Sequence, residues 1–200
     1  MSRKGQRNEA RFITAEQVHS DCVLQPAVFA GYGFNVDDDD LKWNDYEDLD
    51  VRGKWVVVMR HSPERDNQHS TYAIHSSLHK KMLVARDMGA AGIIFISQVE
   101  DSGLYPLKYV SGYKNAGIPA IHLSNNVADR LLKAHGWERK TIQETMNRSL
   151  EPVTFQLTGV TIQANVNLVP VNVRAANIVG MIRSNNHEYK DEYVVLGAHF

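Results

Sequence analysis

Short, largely apolar runs recur along the first two thirds of the chain, separated by polar and glycine-rich sequence. They occupy residues 27–34, 55–59, 93–96 and 118–124. Apolar runs of this length predict strands that are covered on both faces. Between the second and third runs, Ile74, Leu78 and Met82 recur at helical spacing, and Gly89 follows as a typical helix stop. The order strand, helix, strand predicts a βαβ unit.

Capping residues predict two more helices after the fourth run. Ser124 or Asn125 can cap a helix that ends at Gly136. Thr141 with Glu144 has the spacing of a capping box, which predicts one further short helix.

The last part of the chain carries strand patterns without helices. Apolar and polar residues alternate over residues 160–168, which predicts a strand with one buried face. Two further apolar runs, at residues 175–182 and 192–199, are joined by a polar loop and predict a hairpin. We place a domain boundary at about residues 150–157, because strands with no covering helix need a partner surface.

The composition is that of a globular protein, with 43% hydrophobic and 22% charged residues. A net charge of −1 provides no basic field, so we expect no nucleic-acid partner. No apolar stretch approaches the ~20 residues of a transmembrane segment. The single cysteine, Cys22, excludes an internal disulfide. No signal peptide is visible, so the protein either stays inside the cell or has lost an export signal, and composition leaves both open.

Several features are candidate sites, and each also has a plain structural explanation. His75 and His79 have the i, i+4 spacing of a metal pair, but no third ligand is placed and the sequence favours a polar helix face over a metal site. The acidic run at residues 37–40 lacks the ligand spacing of an EF-hand and is typical of a solvated loop tip. The glycines match no phosphate-binding motif, and no GxSxG elbow is present. His199 directly follows an apolar run, where α/β proteins place their chemistry.

The segment AANIVGMIRSNNHEYKDEYVVLGAHF, residues 175–200, resembles the start of the catalytic domain of the co-catalytic zinc aminopeptidases, the family that includes glutamate carboxypeptidase. The resemblance implies that His199 is a zinc ligand in a parent protein that holds two zinc ions. The family's remaining ligands and its general base have no counterpart in these 200 residues. We therefore expect this chain to bind no cofactor and to be inactive by itself, since one imidazole does not make a two-metal site.

The preceding segments VFAGYGFN, YEDLDVRGKWVVVMR, KMLVARDMGAAGIIFIS and AGIPAIHLSNNVADRLL resemble the protease-associated (PA) domain that many of these peptidases carry. The implied fold is α/β: a PA domain of mixed β-sheets flanked by short helices, followed by the first strands of a zinc-peptidase α/β domain. We assign residues 26–152 to the PA domain and residues 153–200 to a linking strand and the first hairpin of a truncated peptidase domain. Residues 1–25 stay unassigned.

The resemblance implies a fragment of a zinc-dependent aminopeptidase, which hydrolyses peptide bonds at a free N-terminus. The PA domain would be the accessory module that shapes substrate access or mediates protein interaction. Expected partners are peptide or protein substrates and the remainder of the peptidase domain, and the parent is expected to be periplasmic, envelope-associated or secreted.

Two other functional classes stay open. The first is a stand-alone peptide- or protein-binding module without catalytic activity. The second is a small receiver-like α/β protein, which the sequence disfavours because Arg60, His61, Ser97 and Gln98 stand at strand ends where an acidic pocket is needed.

A long loop at residues 102–117 carries Tyr105, Tyr109 and Tyr113 among glycines and lysines. Loops on a rigid scaffold often carry function, so this spacing predicts an interaction surface. The alternative is that the three rings pack on the module's own core.

Overall fold

The computed structural model describes residues 24–67, 69–106 and 115–164, together with residues 166, 180–182, 185, 188, 192 and 194–197. The chain divides into two compact units, residues 10–170 and residues 1–9 with 171–200. The helices and strands given below all belong to the first unit. His199, Tyr109, Tyr113, Cys22 and most of the predicted C-terminal hairpin lie outside the described residues.

A five-stranded sheet forms the centre of the first unit, in the order β6-β5-β4-β1-β7. Its strands are β1 (Gln25–Ala30), β4 (Trp55–Met59), β5 (Gly92–Ile96), β6 (Ala120–His122) and β7 (Thr154–Ile162). β1, β4, β5 and β6 are parallel, and β7 runs antiparallel to β1. A separate hairpin is formed by β2 (Asn35–Asp37) and β3 (Lys42–Asn44).

Three α-helices cover the two faces of this sheet: α1 (Leu78–Asp87), α2 (Asn125–Lys133) and α3 (Arg139–Ser149). Alternate strand residues such as Phe29, Val57 and Ile94 pack with α2 and α3. Their neighbours on the other face, such as Val56 and Ile93, pack with α1. The prediction of strands buried on both faces is therefore confirmed for β4 and β5, in which every residue is buried, whereas β6 is only partly buried.

The helix predicted from Ile74 onward begins later than its apolar spacing indicates. Ser77 is the N-cap of α1, and its side chain accepts a hydrogen bond from the Lys80 amide at 3.2 Å. Residues Ala73–His75 form only a 3₁₀ turn, so Ile74 points away from the core and is 75% exposed. The spacing placed Ile74 on one helix face with Leu78 and Met82. This prediction is wrong, because Ser77 caps the helix and α1 begins only at Leu78.

The third helix is confirmed, but the predicted cap is wrong. Glu138 is the N-cap of α3, so Thr141 and Glu144 lie inside the helix. Thr141 instead uses its carbonyl oxygen to accept a hydrogen bond from Thr145 Oγ1 at 2.8 Å. A Thr-x-x-Glu spacing occurs by chance within polar helices, which explains the error.

The strand predicted after residue 152 lies in the central sheet. β7 begins at Thr154, earlier than the alternation indicated, and pairs with β1 on both sides of a register shift between Pro26 and Ala27. Phe155 stacks between Phe29 and Trp137, with ring centroids 4.9 and 5.2 Å away. The strand assigned to the link between domains is thus the fifth strand of this sheet.

Candidate functional site

Polar side chains gather at the carboxyl ends of the parallel strands β4, β5 and β6. Arg60 and His61 follow β4, and His122 is the last residue of β6. The carboxyl ends of parallel strands share one edge of a sheet, which is where α/β proteins bind ligands. We call the following residues the strand-end cluster: Arg60, His61, Arg65, Asp101, Tyr105 and His122.

Asp101 is the anionic centre of the strand-end cluster. Its carboxylate lies 3.0 Å from His61 Nε2 and 3.0 Å from an Arg65 guanidinium nitrogen. Arg60 lies slightly farther away, at 3.6 Å. Burial alone would raise the pKa of Asp101, but the Arg65 hydrogen bond and the nearby positive charges outweigh it and hold the pKa below its usual value. Asp101 therefore links the residues that follow β4 to the loop that follows β5.

His61 has an unusual backbone conformation for a residue with a side chain. Its φ angle is +58°, in the left-handed region that favours glycine. Burial lowers the pKa of His61, and the Asp101 carboxylate offsets part of that effect. His61 is therefore a strained residue whose ring is held by one specific acid.

His122 and Ser97 form a contact that resembles a nucleophile and its base. His122 Nε2 lies 3.0 Å from Ser97 Oγ, and the Tyr105 amide donates to His122 Nδ1 at 2.9 Å. Burial, aided by the Arg60 charge, lowers the pKa of His122 to about 4, so the ring is neutral at neutral pH.

The tautomer of His122 excludes a base role toward Ser97. Because Nδ1 accepts a hydrogen bond, the neutral ring carries its proton on Nε2 and donates it to Ser97 Oγ. A general base must accept a proton from the nucleophile instead. Ser97 is also fully buried, so the pair is a structural contact.

Tyr105 provides the exposed aromatic surface of the strand-end cluster. It is 39% exposed, and the Arg60 guanidinium carbon lies 5.0 Å from its ring centroid. The backbone of Tyr105 is fixed by His122, and its ring is fixed by Arg60. A guanidinium at this distance over an aromatic ring is attracted to it, so Arg60 helps to orient the ring.

Buried polar side chains bind the backbone at the carboxyl end of β5. Arg139 on α3 donates to the carbonyl oxygens of Ser97 and Gln98 at 3.0 and 3.1 Å, and it binds Asp129 on α2 with two nitrogens. Gln98 donates to Tyr32 Oη and accepts from Arg65. The end of β5 is therefore anchored to both helices on that face.

The predicted metal and calcium candidates do not assemble into a site among the described residues. No group of three or more His, Cys, Asp or Glu side chains lies close enough to hold a metal there. His75 is buried beside the Phe34 ring, and its Nε2 lies 3.9 Å from Asp38. Asp38 in turn accepts hydrogen bonds from the amides of Asp40 and Leu41, as expected of a loop tip.

Of the four predicted site residues, the structure describes one. Tyr105 is 39% exposed, and the interaction surface formed with Tyr109 and Tyr113 stays a prediction. Sequence reasoning located the strand ends at Arg60, His61 and Ser97, but it missed Asp101 and Arg65. Those two are loop residues, and no local pattern indicates that they meet across the edge.

One family model matches the chain. The PA domain model covers residues 14–131. This chain belongs to the PA domain family. No curated protein matches it. The match includes all six residues of the strand-end cluster, whereas the supporting helix α3 and strand β7 follow the matched region.

The PA domain is a protease-associated module, and its structure here is a five-stranded mixed sheet with three α-helices. No described helix is long and apolar enough to span a membrane. At the Tyr105 edge of this domain, Arg60 lies over the Tyr105 ring and Arg65 is paired with Asp101.

Proposed function

We propose that this PA domain is the accessory module of a zinc-dependent aminopeptidase, and that its strand-end cluster contacts peptide or protein substrates. The observation that carries the enzymatic part is the order of two segments: a PA domain, then a sequence that resembles the first strands of the peptidase. In that resemblance, His199 is one zinc ligand of a two-metal site whose other ligands come from outside these residues.

In this proposal the peptidase domain carries out the chemistry and the PA domain positions the peptide. In such a site, bound zinc would supply an activated water and polarise the scissile carbonyl, and of the residues that would hold the zinc only His199 belongs to this chain. In this proposal the PA domain contributes none of these groups, and its described residues place no three His, Cys, Asp or Glu side chains close enough to hold a metal. Its contribution would be to position the peptide.

Tyr105 supports the positioning role. A partly exposed ring that Arg60 already orients, on a backbone that His122 holds, loses little conformational freedom when a ligand packs on it. Tyrosine is enriched at binding surfaces because it combines an apolar ring with a polar end. We include Tyr109 and Tyr113 in the proposed surface, since they continue the same loop.

The reading frame beyond Phe200 gives the first test. We expect an aspartate at the next position, as the His-x-Asp pattern of the zinc aminopeptidases requires, and a zinc-dependent release of N-terminal residues by the longer protein. A stop codon after Phe200, or a continuation without acidic ligands, contradicts the enzymatic part of the proposal.

The second test addresses the surface. In the longer protein, replacing Tyr105, Tyr109 and Tyr113 together with serine should raise KM for peptides and leave the zinc content unchanged. Leu24→Ser is a matched control, because Leu24 is also exposed but lies before β1, away from the strand ends. Unaltered KM and kcat in the triple variant contradict the proposed surface.

A stand-alone binding module is the second candidate. The observation that favours it is the exposed Tyr105 ring beside the Arg60 guanidinium, a surface that needs no peptidase domain to contact a partner. The two candidates share the strand-end cluster as the contact surface, and they differ only in whether a peptidase domain follows.

A further inference from the structure

The fully buried amine of Lys81 has no part in the contacts described so far. Lys81 lies on α1 and none of its surface is exposed. Burial lowers the pKa of Lys81 strongly, while the Asp45 carboxylate opposes that effect and Arg60 adds to it. Lysine is almost never fully buried without specific partners, so the partners indicate what the residue does.

The partners of Lys81 are two backbone carbonyls at the exit of β4. Its Nζ donates to Met59 O at 2.7 Å and to His61 O at 2.6 Å. The rings of Phe34 and Tyr32 lie on its other sides, at 4.9 and 5.4 Å from Nζ. One side chain thus spans from helix α1 to the turn that begins the strand-end cluster.

That turn needs support, because His61 adopts its left-handed conformation at a cost of about 1 kcal/mol relative to an ordinary backbone. Two contacts hold it. Lys81 binds the His61 carbonyl from inside, and Asp101 binds the His61 ring from outside. His61 is therefore held both through its backbone carbonyl and through its ring.

We propose that Lys81 is a positioning residue for the strand-end cluster. By holding the carbonyls of Met59 and His61, it keeps the exit of β4 in the conformation that directs His61 and Arg60 toward Asp101, and so orients Arg60 against Tyr105. This inference concerns the geometry of the surface that we propose for substrate contact, and its test needs no substrate.

The test compares Lys81→Met with Lys80→Met. Each variant replaces one lysine amine with a methionine side chain. Lys80 directly precedes Lys81 on α1 but is exposed, so Lys80→Met is a matched control. NMR titration of His61 is the readout, and the charged groups that face this ring are Asp101, Arg65 and Arg60.

We expect the His61 pKa to rise toward the ordinary histidine value in Lys81→Met, because the ring leaves its buried position when the turn relaxes. Lys80→Met should leave it unaltered. A purely structural lysine would lower the melting temperature without changing the His61 titration of the folded protein. A folded Lys81→Met protein with the wild-type His61 titration overturns the proposal.

A second variant keeps the test decisive if Lys81→Met folds poorly. His61→Gly removes the strain, because glycine adopts a positive φ without penalty. We expect Lys81→Met to reduce the folding equilibrium constant less in the His61→Gly background, by a factor on the order of two to ten. Strictly additive effects, or a failure of the double variant to fold, overturn the proposal. Neither outcome bears on whether peptides bind, so this inference fails separately from the proposed function.

Discussion

The buried carboxylate of Asp45 makes a specific prediction about stability and pH. Asp45 is fully buried, and burial raises its pKa to about 7 although the amides of Phe34 and Gly33 and the charge of Lys81 oppose the shift. The usual pKa of an aspartate is 3.8. Between these two values the folded protein keeps a proton on Asp45 that the unfolded chain has lost.

The sign follows from proton linkage. Where the folded state binds more protons, stability falls as pH rises, here by up to about 1.4 kcal/mol per pH unit. The stability that the bound proton on Asp45 contributes is fully present below pH 3.8 and is lost as the pH rises to about 7. Over this window the loss amounts to roughly 4 kcal/mol at most, and a smaller value is expected because Lys81 titrates in the same interior.

Asp45→Asn isolates this contribution. Asparagine retains an oxygen that can accept the 2.8 Å hydrogen bond from the Phe34 amide, but it does not titrate. The difference in unfolding free energy between Asp45→Asn and the wild type should therefore rise in favour of the variant from about pH 4 to about pH 7, then level off. Using the difference removes the contributions of His61, His122 and Asp101, which both proteins share.

Urea denaturation at a series of pH values measures this difference. Leu49→Ala serves as a control, because it removes a buried side chain from the same loop without changing a titrating group, so its difference from the wild type should be the same at every pH. A pH-independent difference between Asp45→Asn and the wild type would refute the reasoning, since it would mean that Asp45 is already ionised in the folded protein at pH 4.

Three further predictions concern the edge of the sheet and its supports. Acidification below about pH 4 should protonate His122 and break its hydrogen bond with the Tyr105 amide, and faster amide exchange at Tyr105 before global unfolding would show this. Arg139→Met should destabilise the domain by about 3 kcal/mol in urea, because two buried carbonyls and Asp129 lose their partner; a loss below about 1 kcal/mol would contradict the anchoring role. Phe155→Leu should cost about 1–2 kcal/mol beyond Leu157→Val, since it removes a ring stacked between Phe29 and Trp137, and equal costs for both would count against stacking.

The sheet could be predicted from sequence because its strands are continuous apolar runs. β4 and β5 are buried on both faces, and such strands have no polar positions that blur their limits. The order strand, helix, strand also predicted parallel pairing, which the register of Trp55 with Gly92 confirms. The helical spacing of apolar residues was a less reliable predictor, because Ile74 fits that spacing but is exposed in the structure.

The candidate site could be predicted only in part. Strand ends are visible in the sequence, so the location of Arg60, His61 and Ser97 followed from the pattern. The partners of these residues could not be predicted, because Asp101 and Arg65 lie in loops and are separated from each other by 36 positions in the chain. Lys81 could not be identified either, since a lysine within a polar helix segment is ordinarily exposed, and only the packing of α1 on β4 buries it.

We propose that this PA domain contacts peptides for a zinc aminopeptidase and does not cleave them itself. Zinc content and aminopeptidase activity, measured side by side for the 200-residue chain and for the longer protein that we propose, test it most directly. The account predicts two zinc ions and N-terminal cleavage in the longer protein, with neither in the 200-residue chain. Tight binding of two zinc ions and cleavage of aminoacyl substrates by the 200-residue chain alone would contradict it.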